Sequence, residues 1–207
     1  GIFAAKIAIS REFGAYSASL YSYSIFMVLN SCFFPNFDVK AFTMSEKLKI
    51  GITVGDINGI GLEVIIKSLF DNRILEYFTP IVYGNTKVAS FHRKAMGIQD
   101  FSFNVINSPE QANAKRSNMI NCWQEDVKIT LGEENEIGGK YAFLSLEKAV
   151  ADLNEGKIDA LVTAPINKNN IQQEGFHFPG HTEYLQAKSN ARDVLMFMIS
   201  DELRIGV

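Results

Sequence analysis

Three short runs carry the residues whose types and spacing could do chemistry. Thr163-Ala164-Pro165-Ile166-Asn167-Lys168 follows an almost wholly apolar stretch and gathers a hydroxyl, an amide and an ammonium. A lysine in such a loop can pair with phosphate or carboxylate, although a lone lysine is more often a solvated surface charge. Phe178-Pro179-Gly180-His181-Thr182-Glu183 places imidazole, hydroxyl and carboxylate at consecutive positions after a Pro-Gly turn, where a helix is expected to start. Thr182 is expected to cap that helix, and His181 to bond a substrate carboxylate or phosphate. The third run is Gly55-Asp56-Ile57-Asn58-Gly59-Ile60-Gly61. Its glycines allow tight turns, and the helix after it offers N–H groups to an anion. It is not the dinucleotide fingerprint, because Leu62-Glu63-Val64 follows with no third glycine, and it has no phosphate-loop lysine. Read alone, the run serves equally well as a turn and helix cap. Of the other histidines, His92 sits in the helical run Phe91-His92-Arg93-Lys94 and reads as solvated. His177, between Phe176 and Phe178, reads as a partly buried packing residue.

The elements that must position these runs alternate along the chain. Residues 48–54 form a β-rich run broken by the glycine loop, and residues 60–70 carry a broad apolar helical face. Strands are predicted over 80–83, 101–106, 119–122 and 127–130, with a helix over 86–95. The clearest helix spans 140–155, where Phe143, Leu146, Val150 and Leu153 recur at helical spacing and Gly156 supplies a stop. Residues 158–163 and 194–199 are nearly all apolar, as in strands buried on both faces, and 203–207 reads as the start of another. The predicted class is α/β, layered α/β/α with a mostly parallel sheet. Ligands of such sheets collect beyond the carboxyl ends of the strands, where two of the three runs lie.

Composition bounds the function. A chain of 207 residues with 47% hydrophobic residues can bury a sizeable core. A net charge of −3 without a basic run argues against nucleic acid and for a small-molecule partner. Cys32 and Cys122 stand far apart, so neither a disulfide framework nor a zinc knuckle is indicated, and a cytoplasmic setting fits. Residues 1–43 differ in kind: they hold 10 of the 24 aromatic residues and lack a helical or strand period. Polar residues from Tyr21 to Ser24, with Asn30 and Ser31, interrupt any membrane span, and no small-residue cleavage site supports a targeting signal. The chain opens on Gly1, and the globular pattern begins just after Met44; residues 1–43 are therefore expected to be translated upstream sequence, with residues 44–207 forming the folded part.

Together the three runs resemble the 4-hydroxythreonine-4-phosphate dehydrogenase (PdxA) family, in its GDPxGIG-type loop, TxPxxK loop and GHTE segment. The resemblance covers residues 48–207 in order, with Ile57 standing where the family usually has proline. It implies a two-lobed fold of the isocitrate and isopropylmalate dehydrogenase type, of which this chain holds the N-terminal part. It implies NAD-dependent oxidation of 4-phosphooxy-L-threonine with decarboxylation to 3-amino-2-oxopropyl phosphate in pyridoxal phosphate biosynthesis. His181 and Thr182 match the substrate-binding pair, while Lys168, Asp56 and Asn58 match motif positions. A divalent metal is implied as well, its histidine ligands expected beyond Val207, so the chain alone is expected to be inactive. The intact protein is expected to be a homodimer without membrane or nucleic-acid partners. Two alternatives stay open: a non-catalytic module binding a phosphorylated ligand, and a dehydrogenase of another phosphorylated hydroxy acid.

Overall fold

In the computed structural model the described residues are 6–9, 23–27, 47–172, 175–199 and 203–206. The first short strands are β1 (Lys6–Ile9) and β2 (Tyr23–Met27), followed by β3 (Lys49–Thr53), α1 (Gly61–Leu69), β4 (Thr79–Gly84) and α2 (Thr86–Ala95). Then come β5 (Asn104–Ile106), β6 (Asn118–Asn121), α3 (Glu136–Asn154), β7 (Ala160–Thr163), α4 (His181–Lys188), β8 (Leu195–Ile199) and β9 (Arg204–Gly206). A six-stranded sheet has the order β1-β7-β3-β4-β6-β5. All neighbours from β7 to β5 run parallel, and β1 lies antiparallel on the outside of β7. The register pairs Thr53 with Tyr83 on one side and Thr163 on the other, so the loops after β3 and β7 leave the sheet side by side.

Each face of the sheet is covered for a reason visible in the helices. In α1, Leu62, Ile65, Ile66 and Leu69 are buried at positions i, i+3, i+4 and i+7, one continuous stripe. Leu62, Ile65 and Leu69 pack with Val82, Val88, Ala89, Met119 and Trp123, so α1 and α2 share a face. On the opposite face α3 turns Ala142, Leu146, Ala149, Val150 and Leu153 toward Ile81, Tyr83, Ile120 and Leu161, and Tyr184 and Leu185 of α4 join them. The layered α/β/α class expected from the sequence is therefore the observed one.

Four expectations are corrected. Residues 127–130 are not a strand; at their end the Thr130 amide donates to Asn58 Oδ1 instead of to a neighbouring strand. The helix expected over 140–155 begins at Glu136, capped by Asn135 Oδ1 accepting from the Gly138 amide, and so runs through two glycines that discourage a helix by propensity alone. β8 does not enter the parallel sheet; it forms a separate antiparallel sheet of order β2-β8-β9 with Met198 half exposed. The N-terminal stretch without a strand period nevertheless supplies β1 and β2, since ladder pairing is made by backbone groups and needs no side-chain pattern. The boundary expected at Met44 lies outside the described residues.

Candidate functional site at the carboxyl edge of the sheet

Backbone contacts join the loops after β3 and β7. Gly55 has φ +66°, and a Cβ there would overlap the Pro165 carbonyl, so only glycine lets the two chains cross. The Asp56 amide donates to the Pro165 carbonyl at 3.1 Å and the Ala164 amide to the Thr53 carbonyl at 3.2 Å. The Gly55–Gly61 run and the Thr163–Lys168 run, separate in sequence, thus form one structure at the edge where parallel sheets hold ligands.

Asp56 and Asn58 point inward from this junction. Asp56 is 8% exposed. Its Oδ1 accepts from the Asn58 amide at 2.9 Å and its Oδ2 from Asn170 Nδ2 at 2.8 Å. Asn58, 2% exposed, uses its whole side chain as a tie. Nδ2 donates to Asn135 Oδ1 and Oδ1 accepts from the Thr130 amide, both at 2.9 Å. The Gly132 amide adds a bond to the Asn58 carbonyl. Asn58 therefore pins residues 130–135, and with them the capped start of α3, onto the glycine loop.

The β7 loop turns on Asn167. Its Oδ1 accepts from the Asn169 amide at 2.9 Å and the Asn170 amide at 3.3 Å, while Nδ2 donates to Glu134 Oε2 at 3.0 Å. Asn167, one of the polar residues of the Thr163–Lys168 run, is a turn-forming residue. Lys168 is exposed and makes no ion pair among the described residues, which leaves its ammonium accessible at the carboxyl edge. Thr163 is buried at the end of β7.

His181 and Thr182 are the first two residues of α4, after Gly180 as N-cap. Thr182 does not stand at the N-cap as expected: that position is Gly180, two residues ahead of it. His181 is buried at 7% exposure, and three residues on Tyr184 stacks on Phe176 at 5.3 Å between centroids. Phe178 crosses the Tyr184 ring edge-on at 5.4 Å, so an aromatic cluster locks the entry to α4.

The other two histidines reverse their expected environments. His92 is 4% exposed, and its Nε2 lies 2.8 Å from the Ile57 carbonyl, tying α2 to the glycine loop. Burial pushes its pKa below the ordinary value of 6.5, against smaller upward pulls from the Ile57 carbonyl and Glu63. A neutral ring carrying its proton on Nε2 donates that bond. The helical run around His92 suggested solvent only because sequence does not show which side of α2 meets the loop. His177 is exposed, its flanking phenylalanines taking the interior positions instead. Asn135, Gly138 and Asn170 went unnoticed in the sequence, and an Asn-rich loop or a Gly-Gly pair signals a turn more readily than a tie.

A surface depression of about 440 Å³ lies beside α2, lined by Asn85, Lys87, Phe91 and residues 125–129. Its Lys87 is paired with Asp126 at 2.5 Å, and none of the three motif runs lines it. The end of β4 offers no loop for a ligand, because Asn85 passes directly into α2 and caps it through the Lys87 and Val88 amides. Among the described residues no three His, Cys, Asp or Glu side chains converge on a metal position. The glycine loop does not fit a dinucleotide pyrophosphate either. The spaces left by Gly55 and Gly61 are filled by the carbonyls of Pro165 and Val54.

Comparison with known proteins gives consistent matches. The family described as pyridoxal phosphate biosynthetic protein PdxA matches residues 76–207. The chain is 44% identical over 163 residues to 4-hydroxythreonine-4-phosphate dehydrogenase of Bacteroides thetaiotaomicron, covering 78% of this chain and 44% of that protein. It is 35% identical over 166 residues to D-threonate 4-phosphate dehydrogenase of Cupriavidus necator, covering 78% and 49%. The crystal structure of a 4-hydroxythreonine-4-phosphate dehydrogenase from Burkholderia phymatum superposes with a TM-score of 0.72 at 29% identity, covering 78% of this chain and 49% of that one. The chain spans about half the length of the curated relatives it matches.

Proposed function

The chain belongs to the PdxA family of pyridoxal phosphate biosynthetic proteins, and on that premise we propose that it supplies the phosphate-binding side of an NAD-dependent dehydrogenase acting on 4-phosphooxy-L-threonine. The intact enzyme oxidises the secondary alcohol, and the resulting β-keto acid loses carbon dioxide to give 3-amino-2-oxopropyl phosphate. The observation that carries this reading is the accessible Lys168 ammonium on a loop locked to the glycine run at the carboxyl edge of a parallel sheet. Lys168 pairs with the phosphate as a point charge, while His181 and Thr182 hold the substrate from the start of α4. Asp56 and Asn58 act from behind, as ties that shape the loops, because their polar atoms are bonded inside the protein.

The described residues do not form a metal site or a dinucleotide cradle, so no step is routed through either group. The divalent metal and NAD are assigned to the part of the family's length that this chain does not span. A cytoplasmic homodimer is likewise part of the proposal and follows from the family likeness.

Calorimetric titration of the chain with 4-phosphooxy-L-threonine and with unphosphorylated 4-hydroxy-L-threonine tests the reading. Binding is expected only with the phosphate present, and Lys168→Ala is expected to weaken it about tenfold, the usual loss for one charge-assisted contact. Equal binding of both compounds, or an unchanged affinity in Lys168→Ala, would overturn it. The likeness to a D-threonate 4-phosphate dehydrogenase keeps a second substrate in view. That compound carries the same phosphate, and a tighter fit for it in the same titration would reassign the substrate without moving the site.

A further inference from the structure

We infer that Asn170 is the positioning residue for the lysine-bearing turn, and that Asp56 acts on that turn through Asn170. The inference rests on the reading of Lys168 as a phosphate contact. Residue 56 grips the β7 loop twice: its amide donates to the Pro165 carbonyl at 3.1 Å, and its carboxylate accepts from Asn170 Nδ2 at 2.8 Å. Lys168 lies between these two anchor points. Asn170 also closes the turn locally, its amide reaching Asn167 Oδ1 at 3.3 Å while the Ile171 amide reaches the Asn167 carbonyl at 3.2 Å. Both Asp56 and Asn170 are 8% exposed, so their bond is largely shielded from water and holds a fixed geometry.

The first turn of α3 completes the arrangement. A Cβ on Gly138 would overlap Asp56 Oδ1 and come within 3.1 Å of Asn170 Nδ2. The helix therefore needs a residue without a side chain where it meets this pair, and its amino end favours the carboxylate beside it. No acidic partner holds Lys168 among the described residues, so the position of its ammonium is set by the turn that carries it.

The polarity of the bond supplies the test. Asn170→Asp sets two carboxylates against each other, whereas the double variant Asp56→Asn with Asn170→Asp restores one donor and one acceptor in reversed order. An asparagine at 56 still offers its carbonyl oxygen to the Asn58 amide. Hydrogen exchange of the 169–171 amides and calorimetry with 4-phosphooxy-L-threonine are measured on the whole chain, with the α1 amides as an internal reference. In Asn170→Asp the turn amides are expected to exchange on the order of tenfold faster and the affinity to drop by a similar factor, with α1 unchanged. The double variant is expected to recover both, a rescue that simple filling of space would not produce. Asn170→Ala gives the same loosening without repulsion and serves if Asn170→Asp does not fold. Unchanged turn exchange in both single variants, or no recovery in the double variant, overturns the inference. Loosening and recovery of the turn with constant affinity sustains the positioning role and removes Lys168 as the phosphate contact.

Discussion

Asn58 shows how a motif residue can be essential without facing a ligand. Its amide group is spent on Asn135 Oδ1 and the Thr130 amide, so Asn58→Ala strips the part-buried Thr130 amide of its acceptor and leaves Asn135 Oδ1 with the Gly138 amide alone. A loss of about 1–3 kcal/mol in unfolding free energy is expected, read by urea denaturation. Gly138→Ala adds one carbon where the Asp56 carboxylate already stands, and the overpacking is expected to cost about 1–3 kcal/mol despite alanine's better helix propensity. A stabilised Gly138→Ala chain would show that the carboxylate moves aside freely. Tyr184 presents the opposite case. Its hydroxyl is buried with no hydrogen-bond partner among the described residues, and burial raises its pKa above the usual phenol range. Tyr184→Phe keeps the ring contacts to Phe176 and Phe178 and removes the unpaired group. It is expected to raise stability by about 1 kcal/mol, and a clear fall in melting temperature would contradict this.

At the scale of elements, the loops after β3 and β7 are held by helices from both faces of the sheet. From one face α2 delivers His92 to the Ile57 carbonyl, where proline in this family motif would stiffen the loop and isoleucine does not. From the other, α3 brings Ser145, whose hydroxyl donates to the Tyr83 carbonyl at 2.6 Å and accepts from the Val54 amide at 3.1 Å. The His92 link makes stability depend on pH. Because the folded pKa lies below 6.5, the unfolded chain binds the additional proton. Stability from this group is fully present above about pH 6.5 and falls as pH drops toward the lowered folded value, by up to about 1.4 kcal/mol per pH unit. Thermal midpoints of the chain and of His92→Gln are expected to diverge across that window, and parallel curves would remove His92 as the cause.

For the whole molecule, exposed apolar side chains gather on two surfaces, with Phe70, Tyr77, Phe91 and Val105 exposed elsewhere. Met198, Leu203 and Ile205 are half exposed around the small β2-β8-β9 sheet, and Ile60, Leu131 and Ile137 around the carboxyl edge. Exposed apolar groups and sheet edges favour association. Sedimentation velocity of this chain is expected to show concentration-dependent self-association, and a single monomeric species at all concentrations would refute that.

The sequence by itself determined the layered α/β class and the identity of the family. Both depend on local information: helical stripes such as Leu62 to Leu69, apolar strands such as Ala160–Thr163, and short motifs that keep their order. It also placed His181 and Thr182 at a helix start. Only the tertiary structure decided which motif residues face inward. Asp56 and Asn58 look like ligand donors on a glycine loop, yet their partners Asn170 and Asn135 lie far along the chain. The burial of His92, the placement of β8 in a second sheet, and the need for glycine at 138 have the same origin. Each depends on what another segment brings to the same point in space, and neither residue type nor spacing encodes that meeting locally.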